Sequence, residues 1–155
     1  TVSFIEKYHS NLVLNLAPIL PPVAATAKVV RMEAGEDLRM VYITPLIASK
    51  DEILRFSNDA RVDLAVTFVE LRERFDESGV HETDLEYSDF DPPLGYKGSF
   101  FPVANGILQA AGIYKEVNES NVVTIEGEEI LSAVREFEEN IGTIKRHSIY
   151  FIKNF

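Results

Sequence analysis

The chain has 155 residues, 46% hydrophobic and 26% charged, the size and balance of one globular domain that buries roughly 70% of its unfolded surface without help from metals or disulfides. Fifteen Lys and Arg against 25 Asp and Glu leave a formal charge of -10, which opposes phosphate backbones and anionic lipid and so excludes nucleic acid and membrane surfaces as direct partners. The absence of cysteine removes disulfides, thiolate nucleophiles, iron-sulfur ligation and Cys-based zinc sites from what these residues do by themselves. His9, His81 and His147 are far apart, and none has the H-x-x-x-H or H-E-x-x-H spacing that puts two ligands on one helix face.

In chain order, Ser3 with Glu6 forms a capping-box pattern, and Ile5, Tyr8, Leu12 and Leu16 follow at helical spacing, predicting a helix over 4–16 that Pro18 ends. Residues 8–27 carry no charge and finish on Ala25, Thr26 and Ala27, the small-x-small form of a signal-peptidase site. Asn15, Pro18, Pro21 and Pro22 interrupt that stretch and only Lys7 precedes it, so a helix with a proline turn is expected instead of an export signal, with a cytoplasmic location favoured. Residues 27–33 and 38–44 are β-favouring runs around Val29, Val30, Val41, Tyr42 and Ile43, separated by Ala34, Gly35, Glu36 and Asp37, and predict an antiparallel hairpin over 27–44. Pro45 closes it, and Ser49 with Glu52 repeats the capping pattern ahead of a short helix at 50–57.

The 60–75 segment reads both ways: Val62, Leu64, Val66 and Phe68 alternate as in a strand, while Val62, Ala65, Val66, Val69 and Leu71 suit a helix. Helix is favoured, because Glu70 to Phe75 are mostly good helix formers and Glu70 stands four residues before Arg74. Residues 76–101, with Gly79, Pro92, Pro93, Gly95 and Gly98, read as one long acidic connection. A buried helix follows at 103–117, where Gly106 and Gly112 call for close backbone packing, then a strand at 122–125, an amphipathic helix at 128–141 stopped by Gly142, and a strand at 148–155. The expectation is a single α+β domain over 1–155 with a small, mostly antiparallel sheet.

The acidic connection is the main local anomaly. Asp76, Glu77, Glu82, Asp84, Glu86, Asp89 and Asp91 occur with no Lys or Arg among them. With aromatic anchors interleaved, Asp84, Glu86, Tyr87, Asp89, Phe90, Asp91 and Tyr96 form a candidate contact for a basic protein surface. The same stretch also reads as a solvated loop. Glu82, Asp84 and Glu86 stand at alternate positions, as the first ligands of an EF-hand do, which suggests a divalent cation; Tyr87 in place of the turn glycine and Pro93 in place of the bidentate glutamate exclude an EF-hand proper. Lys97, Gly98 and Ser99 before a predicted helix suggest a phosphate cradle for a nucleotide or flavin, without Walker or G-x-G-x-x-G spacing.

The terminal strand surrounds Ile149, Tyr150, Phe151 and Ile152 with Lys145, Arg146, His147 and Lys153, so it serves either as core or as an edge that pairs with a partner or a second copy. No nucleophile elbow or histidine dyad supports an enzyme class. The residues therefore predict a non-enzymatic interaction or accessory protein whose partner is a basic protein surface or another copy of itself. A domain for a phosphate-bearing ligand and a divalent-cation domain are the alternatives.

Overall fold

A computed structural model describes residues 2–103, 105–113, 115, 122–125, 127–143 and 149–152. Its regular elements are α1 (Val2–Tyr8), α2 (Pro22–Ala34), β1 (Val41–Thr44), α3 (Ser49–Glu52), β2 (Leu64–Thr67), α4 (Phe68–Glu77), α5 (Gly106–Ala111), β3 (Val122–Ile125), α6 (Ile130–Asn140) and β4 (Ile149–Ile152), joined by short 3-10 turns. The chain divides into two compact units, one of Ala17–Pro93 and one of Thr1–Leu16 with Leu94–Phe155. Among the described residues, no helix is long and apolar enough to cross a membrane.

In the Ala17–Pro93 unit, α2 replaces the first strand of the expected hairpin. Pro22 occupies the first helical turn, where its fixed φ suits a helix and its missing amide proton costs nothing. Ala24, Ala27 and Arg31 then fall on one buried face, while Val29 and Met32 point outward. Burial of that face overrides the β preference of Val29 and Val30. Gly35 closes the helix at φ +105°, a conformation that favours glycine, with its amide donating to the Arg31 carbonyl at 2.9 Å.

With 27–33 helical, β1 has no hairpin partner and pairs instead with β2, in parallel, Val41 opposite Leu64 and Thr44 opposite Thr67. Parallel strands need a crossover, here residues 45–63 with α3 and the turns Ile53–Arg55 and Asn58–Ala60. The 60–75 segment is both strand and helix: β2 runs to Thr67, where the chain turns directly into α4. The expected helix at 50–57 is one turn of α3 followed by a 3-10 turn. The core of this unit comprises Ala27, Ile53, Val62 and Ala65, flanked by Val23, Met40, Tyr42 and Phe56. The opposite face of the strand pair carries Val41, Ile43 and Leu64, each about half exposed.

In the other unit, the expected helix at 4–16 is broken at His9, where φ -137° and ψ 52° separate α1 from the 3-10 turn Ser10–Asn15. Because α1 opens at Val2, Ser3 lies within its first turn and not at its cap. Ile5, Leu12 and Val134 form the core, with Phe4, Leu16, Ile130 and Phe137 against it. The helix expected over 103–117 is described only as α5, because Gly112 ends it at φ +75°. Gly106 is a close approach: a Cβ there would collide with the Phe100 carbonyl, whose carbon would lie 2.6 Å away. β3 coincides with its predicted 122–125 span, and α6 lies inside the predicted 128–141. β4 pairs with β3 in parallel, Val122 opposite Ile149, across the α6 crossover. Residues 148 and 153–155 of the predicted terminal strand lie outside the described residues.

The fold class is thus α+β as expected, but every strand pairing described is parallel and none is antiparallel. The reason is local: helices α3 and α6 occupy the connections, so successive strands cannot turn back on themselves.

Candidate functional site

Polar side chains converge where β1 and β2 end, the edge at which open parallel α/β sheets place their ligands. Thr44, the last residue of β1, is fully buried, and its hydroxyl lies 3.2 Å from that of Ser49, itself 2% exposed. Thr44 Oγ1 also accepts the Leu46 amide at 3.2 Å, which fixes the turn out of the strand. Ser49 therefore serves this strand end; the cap position of α3 is Ala48.

Thr67, the register partner of Thr44, is the N-cap of α4. Its hydroxyl accepts the Glu70 amide at 3.3 Å, while its own amide and hydroxyl donate to Glu70 Oε2 at 2.8 Å each, a complete capping box. Glu70 Oε1 receives Lys50 Nζ from the crossover. The Lys50 ammonium, then the Thr67 amide and hydroxyl, hold the Glu70 carboxyl down at about 2. Glu70 is consequently a fixed carboxylate near neutral pH. Without a proton to give, it orients charge at this rim and does not act as an acid.

A second polar pair lies in the other unit. His9 Nδ1 and Glu138 Oε2 are 2.7 Å apart, tying the break after α1 to α6, and the His9 ring packs 5.2 Å from that of Phe4. Hydrogen bonds from His9 and Asn11 lower the Glu138 carboxyl below its ordinary value. Between β3 and α6 lies an open groove of about 560 Å³, lined by Val123, Ile125, Ala133 and Phe137 together with Glu129 and Glu136.

The residues singled out from sequence lie elsewhere. Glu82 and Asp84 sit on an exposed 3-10 turn, followed by exposed Glu86, Tyr87, Asp89, Phe90 and Asp91. Tyr87 donates to Asp89 Oδ1 at 3.2 Å. Tyr96, Lys97, Gly98 and Ser99 form an exposed 3-10 turn that belongs to the other unit. There the Gly98 amide donates to the Gly95 carbonyl and the Ser99 hydroxyl to the Tyr96 carbonyl, while Lys97 is exposed. Among the described residues, no three His, Asp or Glu side chains are grouped to hold a metal ion.

Sequence reasoning misses Lys50, Thr67 and Glu70. A signal is present: Thr67 and Glu70 have the same S/T-x-x-E spacing as Ser3 with Glu6 and Ser49 with Glu52. The helix expected across 60–75 obscures it.

The family model for the iron-only hydrogenase large subunit, C-terminal domain, matches residues 1–154. The chain belongs to that family. No curated protein and no solved structure matches it. Membership in a family of metal-cluster enzymes overturns the expectation of a non-enzymatic interaction or accessory protein, and the phosphate-ligand and divalent-cation alternatives give way with it.

The family implies iron, and the donor set does not fit an iron-sulfur cluster. Such clusters are held by cysteine thiolates, with histidine replacing at most some of them, and these 155 residues contain no cysteine. Mononuclear iron bound by two histidines and a carboxylate requires a cluster of three such groups, which the described residues lack.

Proposed function

We propose that this chain works as part of an iron-dependent redox domain of the hydrogenase type, contributing protein frame and fixed polarity to it. The observation that carries this reading is the family match over almost the whole chain combined with a cysteine count of zero. The Lys50, Thr67 and Glu70 rim at the strand ends supports it. Such a rim places an ammonium and a carboxylate in set orientations, which is how protein walls tune a nearby redox centre.

The test is genetic and biochemical together. In the organism that makes the protein, removing it should lower hydrogen uptake or evolution with a viologen dye, or another iron-dependent redox activity, and the wild-type chain should restore it. Restoration by a Lys50→Met, Glu70→Gln double variant should be incomplete. Hydrogen turnover and iron-enzyme activities all unchanged on removal would refute the proposal.

A further inference from the structure

We infer that these 155 residues hold no iron centre of their own, so that an iron centre working with them takes its ligands from polypeptide outside them. The family to which the chain belongs is named for iron, which makes this a departure and not a default.

The candidate iron ligands of the described residues fall short on different grounds. Thiolate ligation fails on composition, since the chain has no cysteine and even the mixed centres that use histidine retain cysteines on one iron. Histidine ligation is limited by placement. His9 is half of the 2.7 Å pair with Glu138 and nearly buried, and His81 is solvent-exposed; His147 is outside the described residues. Carboxylates are plentiful, but Glu82, Asp84 and Glu86 are all solvent-exposed, and oxygen donors of this kind suit Mg²⁺ or Ca²⁺ better than an iron-sulfur cluster.

Folding supplies an independent argument. Metal centres that their proteins need structurally couple binding to folding. Here each unit has an apolar core of its own, Ala27, Ile53, Val62 and Ala65 in one and Ile5, Leu12 and Val134 in the other. Among the described residues, no group of three His, Asp or Glu side chains stands ready to hold a metal ion in either. A chain held by such cores is expected to fold without iron.

This inference goes beyond the proposed function and fails separately from it. Iron bound by the chain itself would sink the inference and leave a redox role standing; normal redox activity after removal of the protein would sink the role and leave the inference.

The experiment is anaerobic reconstitution of the purified, folded protein with ferrous iron and sulfide, followed by desalting and assay of iron and acid-labile sulfide. Less than about 0.1 iron per chain and no absorbance near about 400 nm are expected. Melting should be unchanged, within about 1 °C, by ferrous iron, chelator or air. About two or more iron atoms per chain with matching sulfide would overturn the inference. So would a ferrous-dependent rise of several degrees in melting temperature that chelator reverses. Native mass spectrometry of protein isolated without reconstitution gives a second reading: the bare chain at 17.4 kDa is expected, and iron-bearing adducts would overturn it.

Discussion

Arg31 offers the sharpest test of how the Ala17–Pro93 unit is held together. Its guanidinium reaches from α2 to the approaches of both strands, and the residue is 4% exposed. Nη1 donates to the carbonyls of Arg61 and, at 3.4 Å, Asp59; Nη2 donates to the carbonyl of Leu38 at 3.3 Å and to Asp63 Oδ2 at 3.4 Å. Most of these partners are backbone groups, which sets this arginine apart from an ordinary buried ion pair. Substituting both members of an ion pair by apolar residues can be neutral, but backbone carbonyls cannot be substituted away and would remain without a donor.

Three orphaned carbonyls, those of Asp59, Arg61 and Leu38, at about 1 kcal/mol each give about 3 kcal/mol for Arg31→Met, which keeps an apolar stem of similar length. Arg31→Ala also loses about two buried methylenes at about 0.8 kcal/mol each, for a total of about 4.5 kcal/mol. With a urea slope of about 2 kcal/mol/M, the midpoints should fall by about 1.5 M and about 2 M respectively. The assay is urea unfolding followed by far-ultraviolet circular dichroism, with amide exchange in β1 and α2 locating the loss. An Arg31→Met midpoint within about 0.3 M of wild type would refute the reasoning, because it would mean that the carbonyls do not depend on the guanidinium.

Other expected outcomes follow from the same geometry. Thr67→Ala removes the N-cap of α4 and should cost about 1 kcal/mol, whereas Thr67→Ser should restore most of it; equal urea midpoints for Ala and wild type would count against the capping box. Glu70 is held at about 2 when folded against an ordinary 4.5, so its contribution is complete above about pH 4.5 and disappears as pH falls toward 2. Asp59, Asp63 and Glu138, all lowered, act in the same direction, so melting temperature should fall with acidification, and less steeply in Glu70→Gln. An identical acid slope in that variant would contradict the assigned contacts. Gly106→Ala should destabilise by about 2 kcal/mol or more, since its Cβ meets backbone that cannot rotate away, and a wild-type melting curve would show that the Phe100 carbonyl can move.

How much of this is legible in the sequence depends on whether the deciding forces are local. α6 and β3 are legible because periodicity and flanking residues agree with the final packing. Gly106 is legible as a point of close approach, whereas Gly112, read the same way, meets nothing within 4 Å and serves as the helix end. Residues 27–33 are not: Val29 and Val30 favour a strand, and only the core that accepts Ala24, Ala27 and Arg31 makes the helix the better solution. The Lys50, Thr67 and Glu70 rim is invisible for a related reason. It exists only because β2 lies parallel to β1, bringing a lysine of the crossover to a carboxylate of the next helix.

Composition by itself determines what no fold can alter: a chain without cysteine supplies no thiolate, so its iron-sulfur chemistry is limited whatever shape it takes. Strand direction is decided only in three dimensions. Alternating residues record which face of a strand is buried, but the same alternation serves parallel and antiparallel partners. The choice lies in whether the intervening residues fold into a turn or into a crossover helix. Here residues 27–33 form a helix and 45–63 a crossover, and those two outcomes set the sheet and place the candidate site at its carboxyl edge.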